Sequence, residues 1–141
     1  MKRFRALMLM MSMALLLACS TGKVDKEALK TVLLDNFKAL QEENLEGYLG
    51  TLHPESPGYA QMVKLCPRIF EIYDLQHQLI DFQVVEASDK EARIRTVQEA
   101  RRLSGPENYR HNRSTTVHTL KKYQGQWKLF QTEQESVEYI E

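Results

Sequence analysis

With 141 residues and 16.5 kDa, the chain has room for one domain with one modest core, which excludes a multidomain enzyme carrying its own cofactor domain. Its 43% hydrophobic and 27% charged residues are those of a folded protein rather than a disordered tail. Lys2, Arg3 and Arg5 are the only charges in the first 18 residues; without them 16 bases face 19 acids, a net −3 that gives no electrostatic ground for nucleic-acid binding.

The first element is a sorting signal. Three bases precede an apolar run over residues 6–18, interrupted only by Ser12. A membrane-spanning helix needs about 20 apolar residues, so this run fits a secretory signal peptide instead. Its end, Leu16-Leu17-Ala18-Cys19, resembles the bacterial lipobox, in which the cysteine is acylated and becomes the new N-terminus. The expected organisation is therefore a lipoprotein signal peptide over 1–18, a lipidated Cys19 with a short tether over 19–24, and one domain over 25–141. Acyl chains contribute about 0.8 kcal/mol per buried CH₂, so several make a lasting anchor. The resemblance implies export and attachment to a bacterial membrane through Cys19. In a Gram-negative host, Ser20 favours the periplasmic face of the outer membrane; otherwise the site is the outer face of the cell membrane. With Cys19 used for lipid, Cys66 is the only other cysteine, which excludes a disulfide framework.

Asp25 caps a first expected helix with apolar positions Leu29, Val32, Leu33, Phe37 and Leu40. Asn44 caps a short second one carrying Leu45, Tyr48, Leu49 and Leu52, closed by His53-Pro54. Ser56-Pro57 reads as the start of a third, with Tyr59, Val63, Cys66, Phe70 and Tyr73 as its stripe and Pro67 as a kink. After Asp74 the period becomes two. A strand over 79–86 with Ile80, Phe82 and Val84 on one face turns at 88–90 into a second over 91–102. A polar loop over 103–112 leads to strands over 113–123 and 126–135, joined by the hairpin signal Gln124-Gly125.

Helices first and a meander afterwards predict an α+β domain, three helices packed on a curved antiparallel four-strand sheet. The amphipathic first helix, residues 44–49 (NLEGYL), the helix ending at Tyr73-Asp74 and the hairpin 120–129 (LKKYQGQWKL) resemble the nuclear transport factor 2-like superfamily, whose members include SnoaL-like and ketosteroid-isomerase-like proteins. The resemblance implies a cystatin-like cone with a pocket at its open end. It implies no single activity, because that fold hosts both enzymes and binders.

Counting back from Gln124-Gly125 places Lys122 opposite Trp127, Leu120 opposite Leu129, His118 opposite Gln131 and Thr116 opposite Glu133. The candidate pocket lining is thus Thr116, His118, Gln131 and Glu133, with Thr96 and Gln98 from the second strand and Tyr59 and Tyr73 from the third helix. His118 can serve as a general base near Glu133, as a ligand contact, or as a hydrogen-bonded structural histidine. No motif supplies a full catalytic constellation, so no catalytic residue is assigned. The histidines show no ligand spacing, so neither a metal nor a cofactor is expected. Cys66 reads as an inert core thiol. On the other sheet face, Val97, Val117 and Phe130 among Arg93, Arg95, Arg101, Lys121 and Lys128 form either a solvated surface or an interface for a homodimer or a docking partner.

The expected function is that of a membrane-anchored envelope lipoprotein whose cone binds a small apolar or amphiphilic ligand or an envelope protein without catalysis. The alternatives are an acid–base enzyme of the SnoaL-like or isomerase kind and a purely structural interaction module.

Overall fold

A computed structural model describes residues 23–140; the signal-peptide and Cys19 expectations lie outside the described residues. Asp25 starts α1 (Lys26–Gln41), its carboxylate accepting from the N–H groups of Glu27 at 3.0 Å and Ala28 at 3.3 Å. The stripe Leu29, Leu33 and Phe37 is buried. The helix stops at Glu43, whose positive φ of 53° turns the chain so that the Asn44 N–H reaches the Ala39 carbonyl at 2.9 Å. Asn44 then caps α2 (Leu45–Gly50) through the Gly47 N–H at 2.9 Å.

Residues 51–53 run beside the last strand. The His53 N–H donates to the Leu129 carbonyl at 2.7 Å, and the Leu129 N–H donates to Thr51 at 2.9 Å. Ser56-Pro57 forms a turn rather than a helix start: the Tyr59 N–H donates to the Ser56 carbonyl, and α3 (Tyr59–Ile72) begins after Gly58 with no side-chain cap. Pro67 lies inside α3, which continues through it as one helix.

Four antiparallel strands follow in meander order: β1 (Asp74–Ala87), β2 (Glu91–Ser104), β3 (Asn112–Tyr123) and β4 (Gln126–Tyr139). The Ser88 hydroxyl pins the first turn by accepting from the N–H groups of Lys90 and Glu91. Gln124 and Gly125 both hold positive φ, 51° and 78°, which suits a two-residue hairpin to the sheet twist.

Two apolar clusters hold the layers together. Leu29, Leu33 and Phe37 of α1 pack with Ala92, Ile94, Leu120, Trp127 and Leu129 of the sheet. Ala39, Tyr48 and Cys66 join α1, α2 and α3 in a second cluster. α3 therefore packs on α2, which is why Cys66 is buried while Val63, on the same expected stripe, is 40% exposed.

Bulges set the register. Ile80 and Val85 in β1, Leu103 in β2, and Phe130 and Glu135 in β4 have no opposite partner. Each adds one residue to its strand and shifts every later side chain by one position relative to its neighbour. Ile80 consequently leaves the face it was expected to share with Phe82 and Val84, and Leu79 pairs with Gln98 on the covered face instead.

Candidate functional site

The covered sheet face begins at the β3–β4 turn as an apolar wall of Leu120, Trp127 and Leu129 and becomes polar toward the other end. His118 is 4% exposed there. Its ring is held on both sides by hydroxyls: Nδ1 is 2.9 Å from Thr132 Oγ1, and Nε2 is 3.3 Å from Thr96 Oγ1. The Thr96 hydroxyl also lies 3.4 Å from Gln98 Oε1, and Thr116 lies 3.5 Å from the Ser114 hydroxyl. Burial pushes the His118 pKa down to about 4, because nothing charged offsets the cost of an imidazolium in this setting. At neutral pH the ring is uncharged, donating from one nitrogen and accepting at the other.

Two of the expected site residues are corrected here. The Phe130 bulge makes Thr132, not Gln131, the partner of His118, and Gln134, not Glu133, the partner of Thr116. Gln131 and Glu133 point to the opposite face, where the Gln131 amide donates to the Glu133 carboxylate at 2.9 Å. Glu133 is therefore no orienting group for His118, and the base–carboxylate pairing suggested by the sequence is not formed. Thr96, Gln98, Thr116 and His118 do share one face. Tyr73 is set apart from them: its hydroxyl donates to Asn108 at 2.7 Å, and its ring stacks 5.6 Å from Tyr109 in the β2–β3 loop.

Two open concavities lie elsewhere, beside α2. A groove of about 630 Å³ is walled by Leu45, Leu49, Leu52, Pro54, Tyr59 and Tyr123. Gly50 forms part of its floor, and Glu46 and Lys128 stand at its edge, with the Lys128 ammonium donating to the Gly50 carbonyl. A second hollow of about 350 Å³ shares Leu52 and runs past Tyr48 and Met62 to Phe130, Gln131 and Thr132. Of the residues expected to line a pocket, Tyr59 borders the first groove and Gln131 the second, whereas Tyr73, Thr96, Gln98, Thr116 and His118 border neither. The sequence signal for the first groove was present in Leu45 and Leu49, one helical turn apart, with a glycine next to the second. The same pattern equally describes a helix packed against a core.

Beneath the second hollow, Tyr48 and Cys66 lie in one buried cluster with Ala39. Burial raises the pKa of both groups, so Cys66 is a protonated and unreactive thiol at neutral pH. On the outer sheet face, Arg95 reaches across β3 to Glu135 at 2.8 Å, with Val117 buried at the crossing. Arg93 pairs with Glu86 at 3.2 Å, Lys121 pairs with Glu91 at 3.7 Å and also lies 3.8 Å over the Phe130 ring, and Val97 is half-buried. Most of the basic rim is thereby neutralised by acids of the same sheet. Among the described residues, no group of three His, Cys, Asp or Glu side chains is placed to hold a metal ion, and no helix is long and apolar enough to cross a membrane.

Comparison with solved structures identifies the architecture. The fold is shared with a cystatin-like protein of unknown function from Nostoc punctiforme, at 14% identity and a TM-score of 0.64, over 78% of this chain and 89% of that one. An NTF2-like protein of unknown function from Pseudomonas putida matches at 10% identity and 0.62, over 77% and 84%. The beta subunit of the benzoate 1,2-dioxygenase from Burkholderia mallei matches at 9% and 0.64, over 79% and 90%. At these identities the likeness shows the fold alone, and that fold is the cystatin-like, NTF2-like cone expected from the sequence. No curated protein sequence matches the chain. A family model described as the C-terminal domain of the anti-sigma-I factor RsgI9 matches residues 31–140.

Proposed function

The chain belongs to the anti-sigma-I factor RsgI9 C-terminal domain family, and from that premise we propose that it is an exported, lipid-anchored recognition module whose cone domain binds an amphiphilic ligand without catalysis. The observation that carries this reading is the pairing of an apolar-walled open groove with a locked histidine. The groove along α2 offers apolar side chains for a hydrocarbon portion and Glu46, Gln124, Gln126 and Lys128 for a polar one. The strongly shifted histidine has both nitrogens occupied by threonine hydroxyls and no carboxylate to receive or return a proton. The family description, which attaches such a domain to an anti-sigma factor, accords with recognition rather than turnover.

Native mass spectrometry of the protein purified gently from its own envelope tests this. The expected result is a reproducible added mass that is lost on denaturation. A Cβ at Gly50 meets no atom within 4 Å, so a side chain can be added there without a backbone clash, and Gly50→Phe, at the lining of the groove, is expected to lose the added mass. A bare wild-type protein, or an adduct equally abundant in Gly50→Phe, would overturn the assignment of the groove. The anchor is tested separately: Cys19→Ala moves the protein from the membrane to the soluble fraction.

A further inference from the structure

Resting on the lipid-anchored reading above, we propose that the part of the β1 edge beside the start of α1 lies against the bilayer, with Ile80 entering the headgroup region. Four peptide steps separate Cys19 from Lys23, a reach of about 14 Å at full extension. An acylated Cys19 therefore confines the first turn of α1 to the membrane surface, and whatever surrounds that turn is brought to the lipid. A shallow hollow lined by Lys26, Glu27, Lys30, Leu79, Ile80 and Phe82 places the first β1 bulge directly beside it.

The side chains there suit a lipid interface. Ile80 is the unpaired residue of that bulge and is 45% exposed; Val85, unpaired in the next bulge, is 53% exposed. β1 is an edge strand, and among the described residues no further strand covers its free side. Folding gains little from an apolar residue at such a position, where a polar one would serve as well. Lys26 and Lys30 stand beside the bulge with long apolar stems and charged tips, the form of side chain that spans from hydrocarbon to phosphate. Glu27 and Asp81 balance them, and Asp81 accepts from Gln83 at 3.3 Å. With two acids against two bases, the contact does not depend on anionic lipid. It is driven by the anchor and by apolar insertion, and high salt leaves it in place.

The test uses the acylated full-length protein in phosphatidylethanolamine vesicles, carrying Cys66→Ala and one label site. Ile80→Cys receives an environment-sensitive fluorophore, and nitroxide-headgroup lipid is the quencher. Leu103→Cys is the reference, being an exposed bulge residue on the neighbouring strand near its opposite end, about 20 Å away at about 3.3 Å per residue. The expected result is flotation of both proteins with the vesicles and at least about twofold stronger quenching at position 80, unchanged in 0.5 M salt. Equal quenching at 80 and 103 in proteins that float would overturn the docking surface while leaving the anchor intact. Failure of the proteins to float would overturn the anchor and the surface together.

Discussion

His118 makes the stability of the domain depend on acid in a way that can be calculated. An unfolded histidine titrates near 6.5, and burial holds this one at about 4 in the fold. Between those values the unfolded chain binds a proton that the native protein refuses, so stability is full above 6.5 and falls as the pH drops toward 4. At about 1.4 kcal/mol per pH unit the loss approaches about 3 kcal/mol, and about 2 kcal/mol of it falls between pH 7.5 and 5. Burial also lowers the His77 pKa and adds a loss of the same sign, so the measurement must be a difference. Urea unfolding of wild type and His118→Gln at pH 7.5 and 5 provides it, because glutamine keeps a donor and an acceptor between Thr96 and Thr132 while removing the titration. Wild type is expected to lose about 2 kcal/mol more than the variant over this interval. Parallel losses in the two proteins, or an NMR titration of the His118 ring centred near 6.5, would refute a dry, hydroxyl-locked histidine. Either result would reopen the base-in-a-pocket reading suggested by the sequence.

Three further outcomes follow from single contacts. Gly105 holds φ at +107°, and a Cβ there would collide with the Ile72 carbonyl oxygen and lie 2.9 Å from Tyr73 Cδ1; Gly105→Ala is expected to cost about 2 kcal/mol or more in urea unfolding, and a change below about 0.5 kcal/mol would refute the crowding. The buried Asn36 amide donates to the Thr51 hydroxyl at 2.7 Å, which itself donates to the Tyr48 carbonyl. Asn36→Ala should cost about 1–3 kcal/mol, partly recovered in the Asn36→Ala/Thr51→Val double variant; strict additivity would show that the two side chains are not coupled. Cys66, fully buried under Tyr48, should react with a thiol reagent only after denaturation, and reaction of the native domain at the rate of a free thiol would contradict its packing.

Much of the fold was legible because its signals are local. Asp25 and Asn44 cap the helices they were expected to cap, and Gln124-Gly125 makes the hairpin turn. Register near that turn was equally legible: Lys122 faces Trp127 and Leu120 faces Leu129 as counted. It failed one residue later, at Phe130, because an aromatic residue in an alternating strand carries no mark of being a bulge. The expected pocket inherited that error for Gln131 and Glu133. On the helical side the stripe of α3 was visible but its neighbour was not: Cys66 is buried with Tyr48 of α2 and Ala39 of α1, and an amphipathic pattern states that a face is buried without naming what buries it.

The bulges account for both the error and the surface features that matter. Four of the five bulge positions hold Ile80, Val85, Leu103 and Phe130, and the fifth holds Glu135. An apolar residue in a strand is normally assigned to the covered face by alternation. At a bulge the alternation breaks locally, and the same residue is left on the solvent side or at the edge with no partner across the ladder. Phe130 is directed in this way to the hollow beside α2 and to the Lys121 ammonium. Ile80 is directed to the side of the domain where α1 begins, and Val85 is left exposed farther along β1. Stability does not require apolar side chains at Ile80 and Val85, since an unpaired, exposed position loses little by becoming polar. An exposed apolar side chain at Ile80 is what the membrane contact proposed above requires. Replacing Ile80 with serine is therefore expected to leave urea unfolding within about 0.5 kcal/mol of wild type while reducing contact with the membrane. A large loss of stability would instead assign Ile80 to the core.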